Sequence, residues 1–141
     1  GGAHGEPLVA RFVWLPAQDK MLQASELITS TDGWQVVSRY VADELKAQAV
    51  ARARAEKLEV PEEEAMLRNV GKMIAAGTAP EPGNFDLFQP IMASGRIAAV
   101  RFVFPPYQVG PYSDGTQSVD VPAAVVLPHV SPEYADLFAR P

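Results

Sequence analysis

Two histidines, His4 and His129, are the only imidazoles among 141 residues, and neither has a second histidine or a patterned carboxylate at a metal-ligand spacing. No metal centre and no cofactor are expected. The chain has no cysteine, which removes thiolate nucleophiles, disulfides and cysteine-type zinc sites together. There is no G-x-S-x-G elbow and no phosphate-cradling glycine loop. Asp114 and Asp120 are spaced as an acid–base pair could be, yet carboxylates beside a turn are usually turn formers or surface charges. The expected set of catalytic residues is therefore empty.

Binding chemistry is better represented. In Phe102-Val-Phe-Pro-Pro-Tyr-Gln-Val-Gly-Pro-Tyr-Ser-Asp-Gly115 a strand runs into a connection of more than ten residues, where hairpins ordinarily use two to five. Tyr107 and Tyr112 each offer an apolar ring with a polar tip, the combination favoured where a surface meets a partner. The flanking prolines leave little entropy to lose on binding. The residues alone allow a second reading just as well, in which both rings cap the core beneath the loop.

The elements that must carry this loop are legible from periodicity. Leu8–Leu15 is β-branched and aromatic and stops at Pro16, which reads as a strand. A short helix is expected at Gln23–Ile28. The polar cluster Thr29-Ser-Thr-Asp-Gly33 can cap a long amphipathic helix from about Gly33 to Leu58, with Trp34, Val37, Val41 and Leu45 on one face. A second helix starts at Pro61, where Glu62, Glu63 and Glu64 complement the helix dipole. Its buried stripe is Met66, Leu67, Val70, Met73 and Ile74, and it stops at Gly77. Phe85–Met92 and Arg96–Phe104 read as strands around a Ser94-Gly95 hairpin turn, with Pro90 at an edge or a bulge. Gln117–Val121 is a further strand, and Pro122–Leu127 and Pro132–Phe138 are short helices. The fold class is α/β of the α+β kind, a largely antiparallel sheet packed against one long and one shorter helix.

With 48% apolar residues the chain can close one core, so a single domain over 1–141 is expected. Its 17 acidic and 12 basic residues give a net charge of −5, which disfavours nucleic acid as a partner. The basic run Arg52-Ala-Arg54-Ala-Glu56-Lys57 reads as a solvated helix flank. No apolar run reaches the ~20 residues of a membrane helix. The chain opens on Gly1-Gly2-Ala3-His4 with neither an initiator methionine nor a signal peptide, as a processed or engineered form or a fragment would.

Two separated motifs, Gly1-Gly-Ala-His4-Gly5 and Phe102-x-Phe104-x-Pro-Tyr107-Gln-Val-Gly110-Pro-Tyr112-x-x-Gly115 with Val119-x-Val121-Pro122, resemble the extracytoplasmic domain of unknown function found in lysozyme-sensing anti-sigma factors of the RsiV type, in a peptidoglycan deacetylase and in envelope lipoproteins. Ala24-Ser-Glu26-Leu-Ile28 is similar to that family's short D-L-F helix, with Glu26 in place of Asp and Ile28 in place of Phe. His4-Gly5-Glu6 also departs from the usual form. Members of that family normally have strands ahead of the GGAH motif, so the resemblance implies that N-terminal strands of the full domain are lacking.

What the resemblance implies is a non-enzymatic recognition domain of a bacterial cell-envelope protein, extracytoplasmic, either periplasmic or lipid-anchored. Its partner would be an envelope protein or a peptidoglycan fragment. The binding residues expected are His4, Tyr107, Gln108, Gly110 and Tyr112, with Gly1–Gly5 and Tyr107–Gly115 lying together around one concavity. The alternatives are a cell-wall-acting hydrolase or transferase using His4, which needs an orienting carboxylate and a cleft, and a purely structural spacer. The missing strands would leave a sheet edge beside Leu8–Leu15 open to a second polypeptide or a dimer partner.

Overall fold

The computed structural model describes residues 14–15 and 20–141, with side chains from Leu22 onward. His4, the Gly1–Gly5 segment and most of the expected Leu8–Leu15 strand lie outside the described residues. Two short strands, β1 (Trp14–Leu15) and β2 (Lys20–Met21), pair antiparallel. They lead into α1 (Ala24–Leu27), closed at its start by a reciprocal Gln23–Glu26 capping box.

The long helix α2 spans Thr31–Glu56 and begins two residues before the expected Gly33, because Ser30 is the residue that caps it: its hydroxyl accepts the Gly33 N–H at 3.0 Å. A side chain at Gly33 would meet Ile28 Cγ2 at 2.6 Å and His129 Cβ at 2.8 Å, so the helix start can dock against these residues only with glycine there. Trp34, Val37, Val41 and Leu45 are all buried as their spacing predicts, and Ala49 and Ala53 continue the stripe. Small residues at those last two positions leave room for a neighbouring helix.

That neighbour is α3 (Val60–Gly77), with Pro61 in its first turn and Glu62 and Glu63 at its positive end. Only Val70 and Ile74 of its expected stripe are buried, while Met66, Leu67 and Met73 are half-buried. The stripe is narrow where α3 packs against α2, and between the two helices lies a shallow groove of about 310 Å³ lined by Lys46, Ala49, Val50, Leu67, Gly71 and Ile74 among others. A Cβ at Gly71 would meet nothing within 4 Å. Glycine there weakens the helix without any packing reason, so Gly71→Ala is expected to stabilise the protein by about 1 kcal/mol, read as a higher urea midpoint. A lower midpoint would mean that the groove is filled.

The sheet has the antiparallel order β3 (Phe88–Ala93), β4 (Arg96–Phe104), β5 (Gln117–Pro122), and the fold is α+β. Ser94 and Gly95 both take left-handed backbone, with φ of 51° and 78°, as a two-residue hairpin turn needs. Opposite Ile91 and Met92 the register jumps from Ala99 to Ile97, so Ala98 is an extra residue. The bulge resets the alternation, and Ile97, Val100, Phe102 and Phe104 all face the core.

Pro90 sits in edge strand β3 beside this bulge. The Val103 N–H donates to the Leu87 carbonyl, which makes Pro90 opposite Val100 a non-hydrogen-bonded pair and turns its missing N–H to the outer edge. An added strand would find no donor there.

Two further expected boundaries shift, each by three residues. Phe85 does not begin a strand; it closes a 3₁₀ turn, Pro82–Phe85, and drops into the core. There it stacks on Trp34 at 5.2 Å and meets Phe102 edge-on at 5.4 Å, contacts that outweigh its strand propensity. The last helix, α5 (Pro132–Ala135), follows α4 (Ala123–Val126) and is shorter than expected. It ends early because the Leu137 carbonyl and the Ala139 N–H bond to Ile97, which seats Phe138 fully in the core. Ser131 then ties this tail to α1 through the Glu26 and Leu27 carbonyls, both at 2.8 Å.

Candidate functional site

The β4–β5 connection, residues 105–116, is built from two tight turns. In the first, the Gln108 N–H closes on the Pro105 carbonyl at 3.2 Å, with Pro106 and Tyr107 between. Proline suits the first central position of such a turn, and the second ordinarily takes glycine because it needs positive φ. Here Tyr107 occupies it at φ 78°, an arrangement that costs of order 1–2 kcal/mol for a residue with a side chain. The second turn is the 3₁₀ segment Tyr112–Asp114, ended by Gly115 at φ 69°.

The surroundings hold this strained loop from three sides. Below it, Val109 is buried and plugs the core. From α3, Gly77 comes so close that its own Cβ would lie 2.0 Å from the Gln108 carbonyl oxygen. Gln108 Nε2 donates to the Gly77 carbonyl at 3.1 Å and to the Asn84 carbonyl at 2.8 Å. From α2, Arg52 reaches Asp114 at 3.4 Å, and the Asp114 side chain is only 13% exposed. Gly110 is buried, with Gln117 Nε2 2.7 Å and Asp114 Oδ2 3.2 Å from where a Cβ would stand.

The same scaffold leaves two rings outside. Tyr107 is 69% and Tyr112 67% exposed, their centroids 5.6 Å apart and their planes inclined by 39°. Core capping is thus the work of Val109, and the tyrosines face solvent as a pair. Of the residues expected to bind, Tyr107 and Tyr112 come together at the surface, Gln108 and Gly110 turn inward to fix the loop, and His4 lies outside the described residues. The closeness of Gly1–Gly5 to this loop is outside them as well.

Asp114 and Asp120 pair with different arginines. Asp120 takes Arg101 through two bonds of 2.7 and 3.0 Å across the exposed face of the sheet. The hydrogen bond and the charge of Asp120 hold the Arg101 guanidinium above its ordinary pKa. Tyr134 is the buried phenol, pushed up first by desolvation and then by the charges of Glu133 and Glu26. Among the described residues no cluster of three or more histidines, aspartates and glutamates is arranged for a metal. A groove of about 470 Å³ along α2, lined by Asp32, Val36, Arg39, Tyr40, Asp43 and Val125 among others, includes none of the loop residues.

Arg52, Gly77 and Asn84 are the loop's partners that sequence reasoning missed. Arg52 stood in what read as a solvated basic run, and nothing local marks its partner 62 residues away.

Strain at Tyr107 is measurable by comparing two truncations. Tyr107→Gly and Tyr107→Ala both delete the ring, but only glycine accepts φ 78° freely, so the glycine variant should be the more stable by about 1 kcal/mol in urea unfolding. An alanine variant as stable as the glycine one would show that the loop relaxes.

A family model described as a protein of unknown function, DUF3298, matches residues 27–124, from the last residue of α1 through β5 into α4. No curated protein and no solved structure matches the chain. Among the described residues, no helix is long and apolar enough to cross a membrane.

Proposed function

Since the chain belongs to the DUF3298 family, whose description assigns no activity, we propose from the site itself that it is a non-enzymatic recognition domain, presenting Tyr107 and Tyr112 to a protein or a cell-wall glycan outside the cytoplasm. One observation carries this reading: a bulky aromatic residue is held at positive φ and about two-thirds exposed, when glycine would fit the turn and solvent would not penalise its absence. Strain kept at a surface position, locked by Gln108, Gly77 and Arg52, is the signature of a site whose shape matters more than its stability. Pre-organisation of this sort lowers the entropy lost when a partner docks.

The envelope setting rests on the resemblance carried by the Phe102–Gly115 and Gly1–Gly5 motifs. Calorimetry of the full-length protein against soluble muropeptides, lysozymes and purified envelope proteins tests it. Binding that Tyr107→Gly removes at unchanged or raised unfolding midpoint is the expected result. A well-folded full-length protein that binds none of these would overturn it.

A further inference from the structure

On the recognition reading above, the partner's chemistry follows from which polar groups the loop still has to offer. Both Gln108 Nε2 hydrogens are engaged by internal carbonyls, and the Asp114 carboxylate is largely buried against Arg52. A saccharide needs amides or carboxylates placed around the aromatic ring to bond its hydroxyls, and here those groups face inward.

Apolar surface, by contrast, continues past the loop. Val103 lies between the inward-facing Phe102 and Phe104, so its side chain belongs to the outer face of the sheet. Its N–H bonds the Leu87 carbonyl, and Leu87 is 54% exposed. Leu87, Tyr107 and Tyr112 are three of the five large apolar residues exposed among the described residues, and all three border this end of β4. Along the same face Arg101 and Asp120 cancel each other's charge, as Arg52 and Asp114 do under the loop, and Asp86, next to Leu87 in sequence, is exposed. On a chain of net charge −5 this is a patch whose two arginines are each paired with an aspartate, an apolar centre with a polar rim as in protein–protein contacts.

We infer that the end of the sheet from Leu87 and Val103 to Tyr107 and Tyr112 is one contact surface, fitted to an uncharged, apolar patch on a partner protein. Such contacts vary little with ionic strength, whereas a basic partner drawn by the net charge would be released by salt.

The test uses the full chain and defined probes. Random peptides displayed on phage are selected on it, the enriched peptides are synthesised, and their affinities are measured beside soluble N-acetylated oligosaccharides. Enriched peptides should be apolar and uncharged. They should lose at least about tenfold in affinity on both Tyr107→Gly and Leu87→Ser, and change less than about twofold between low and high salt. In this cysteine-free chain, Leu87→Cys should react with a maleimide as fast as an unstructured thiol.

Oligosaccharide binding abolished by Tyr107→Gly would preserve the recognition reading and overturn this inference. So would charged peptides released by salt, or peptides indifferent to Leu87→Ser. Slow labelling at position 87 would make another part of this chain the occupant of the face, which also overturns it. If neither probe class binds, both readings fall.

Discussion

Replacing Val41 with aspartate is expected to remove much of the protein's stability. Val41 is fully buried midway along the core face of α2, between Val37 and Leu45. A carboxylate there gains no partner from the apolar cluster around it, and the change should cost about 4 kcal/mol. Typical domains hold only about 5–15 kcal/mol in reserve. The loss should also depend on pH in a definite direction. Burial disfavours the charged form, so the folded-state pKa of the new carboxyl is raised above its unfolded value. The native state then binds the proton more tightly, and stability falls as pH rises through that raised pKa. Val41→Asp should therefore be least defective in mildly acidic buffer and worst at alkaline pH. Val36→Asp is the control, on the same helix but 39% exposed, with an expected cost of about 0.5 kcal/mol. Equal urea midpoints for the two variants would mean that α2 does not pack through this face.

Val41 also shows what kind of information the sequence carries. Its burial follows from spacing alone, because a 3.6-residue period and a capping serine are local properties of Ser30–Leu45. The same holds for β4 and the Ser94-Gly95 turn. Phe85 shows the limit: its β propensity is real, but the Trp34 ring that draws it into the core is 51 positions back along the chain, 85 less 34. Ala98 is unreadable for a related reason, since a bulge is a property of two strands in register and the sequence of β4 offers only an unbroken apolar run.

The candidate site divides along the same line. Its tyrosines, prolines and glycines are conspicuous as composition. What decides whether the rings face in or out is a set of tertiary contacts, Gln108 to Gly77 across 31 positions and Arg52 to Asp114 across 62. A helix C-terminal glycine such as Gly77 is expected on local grounds as a stop signal. Its φ is not positive, however, and what demands glycine there is the approach of another loop's backbone.

That demand yields the second large effect. Gly77→Ala should destabilise the protein by about 3 kcal/mol, although alanine is the better helix former by about 1 kcal/mol. The new Cβ would stand 2.0 Å from the Gln108 carbonyl oxygen, 2.8 Å from its carbonyl carbon and 3.0 Å from Val109 Cγ1. Two of those atoms are backbone and cannot swing aside as a flexible side chain would. Either the end of α3 or the loop must give way, an overpacking cost of about 1–3 kcal/mol. The displacement also strains the bonds from Gln108 Nε2 to the Gly77 and Asn84 carbonyls and lifts Val109 from the core, adding about 1 kcal/mol for each half-buried bond lost. Gly71→Ala lies six positions earlier on the same helix, where a Cβ meets nothing, and it should move the urea midpoint the opposite way. Because the Gln108 latch holds Tyr107 at positive φ, Gly77→Ala should also weaken any partner that Tyr107→Gly weakens, without touching an exposed residue. Two alanine variants of equal and increased stability would show that helix propensity alone governs both positions, and that the loop is not seated on α3.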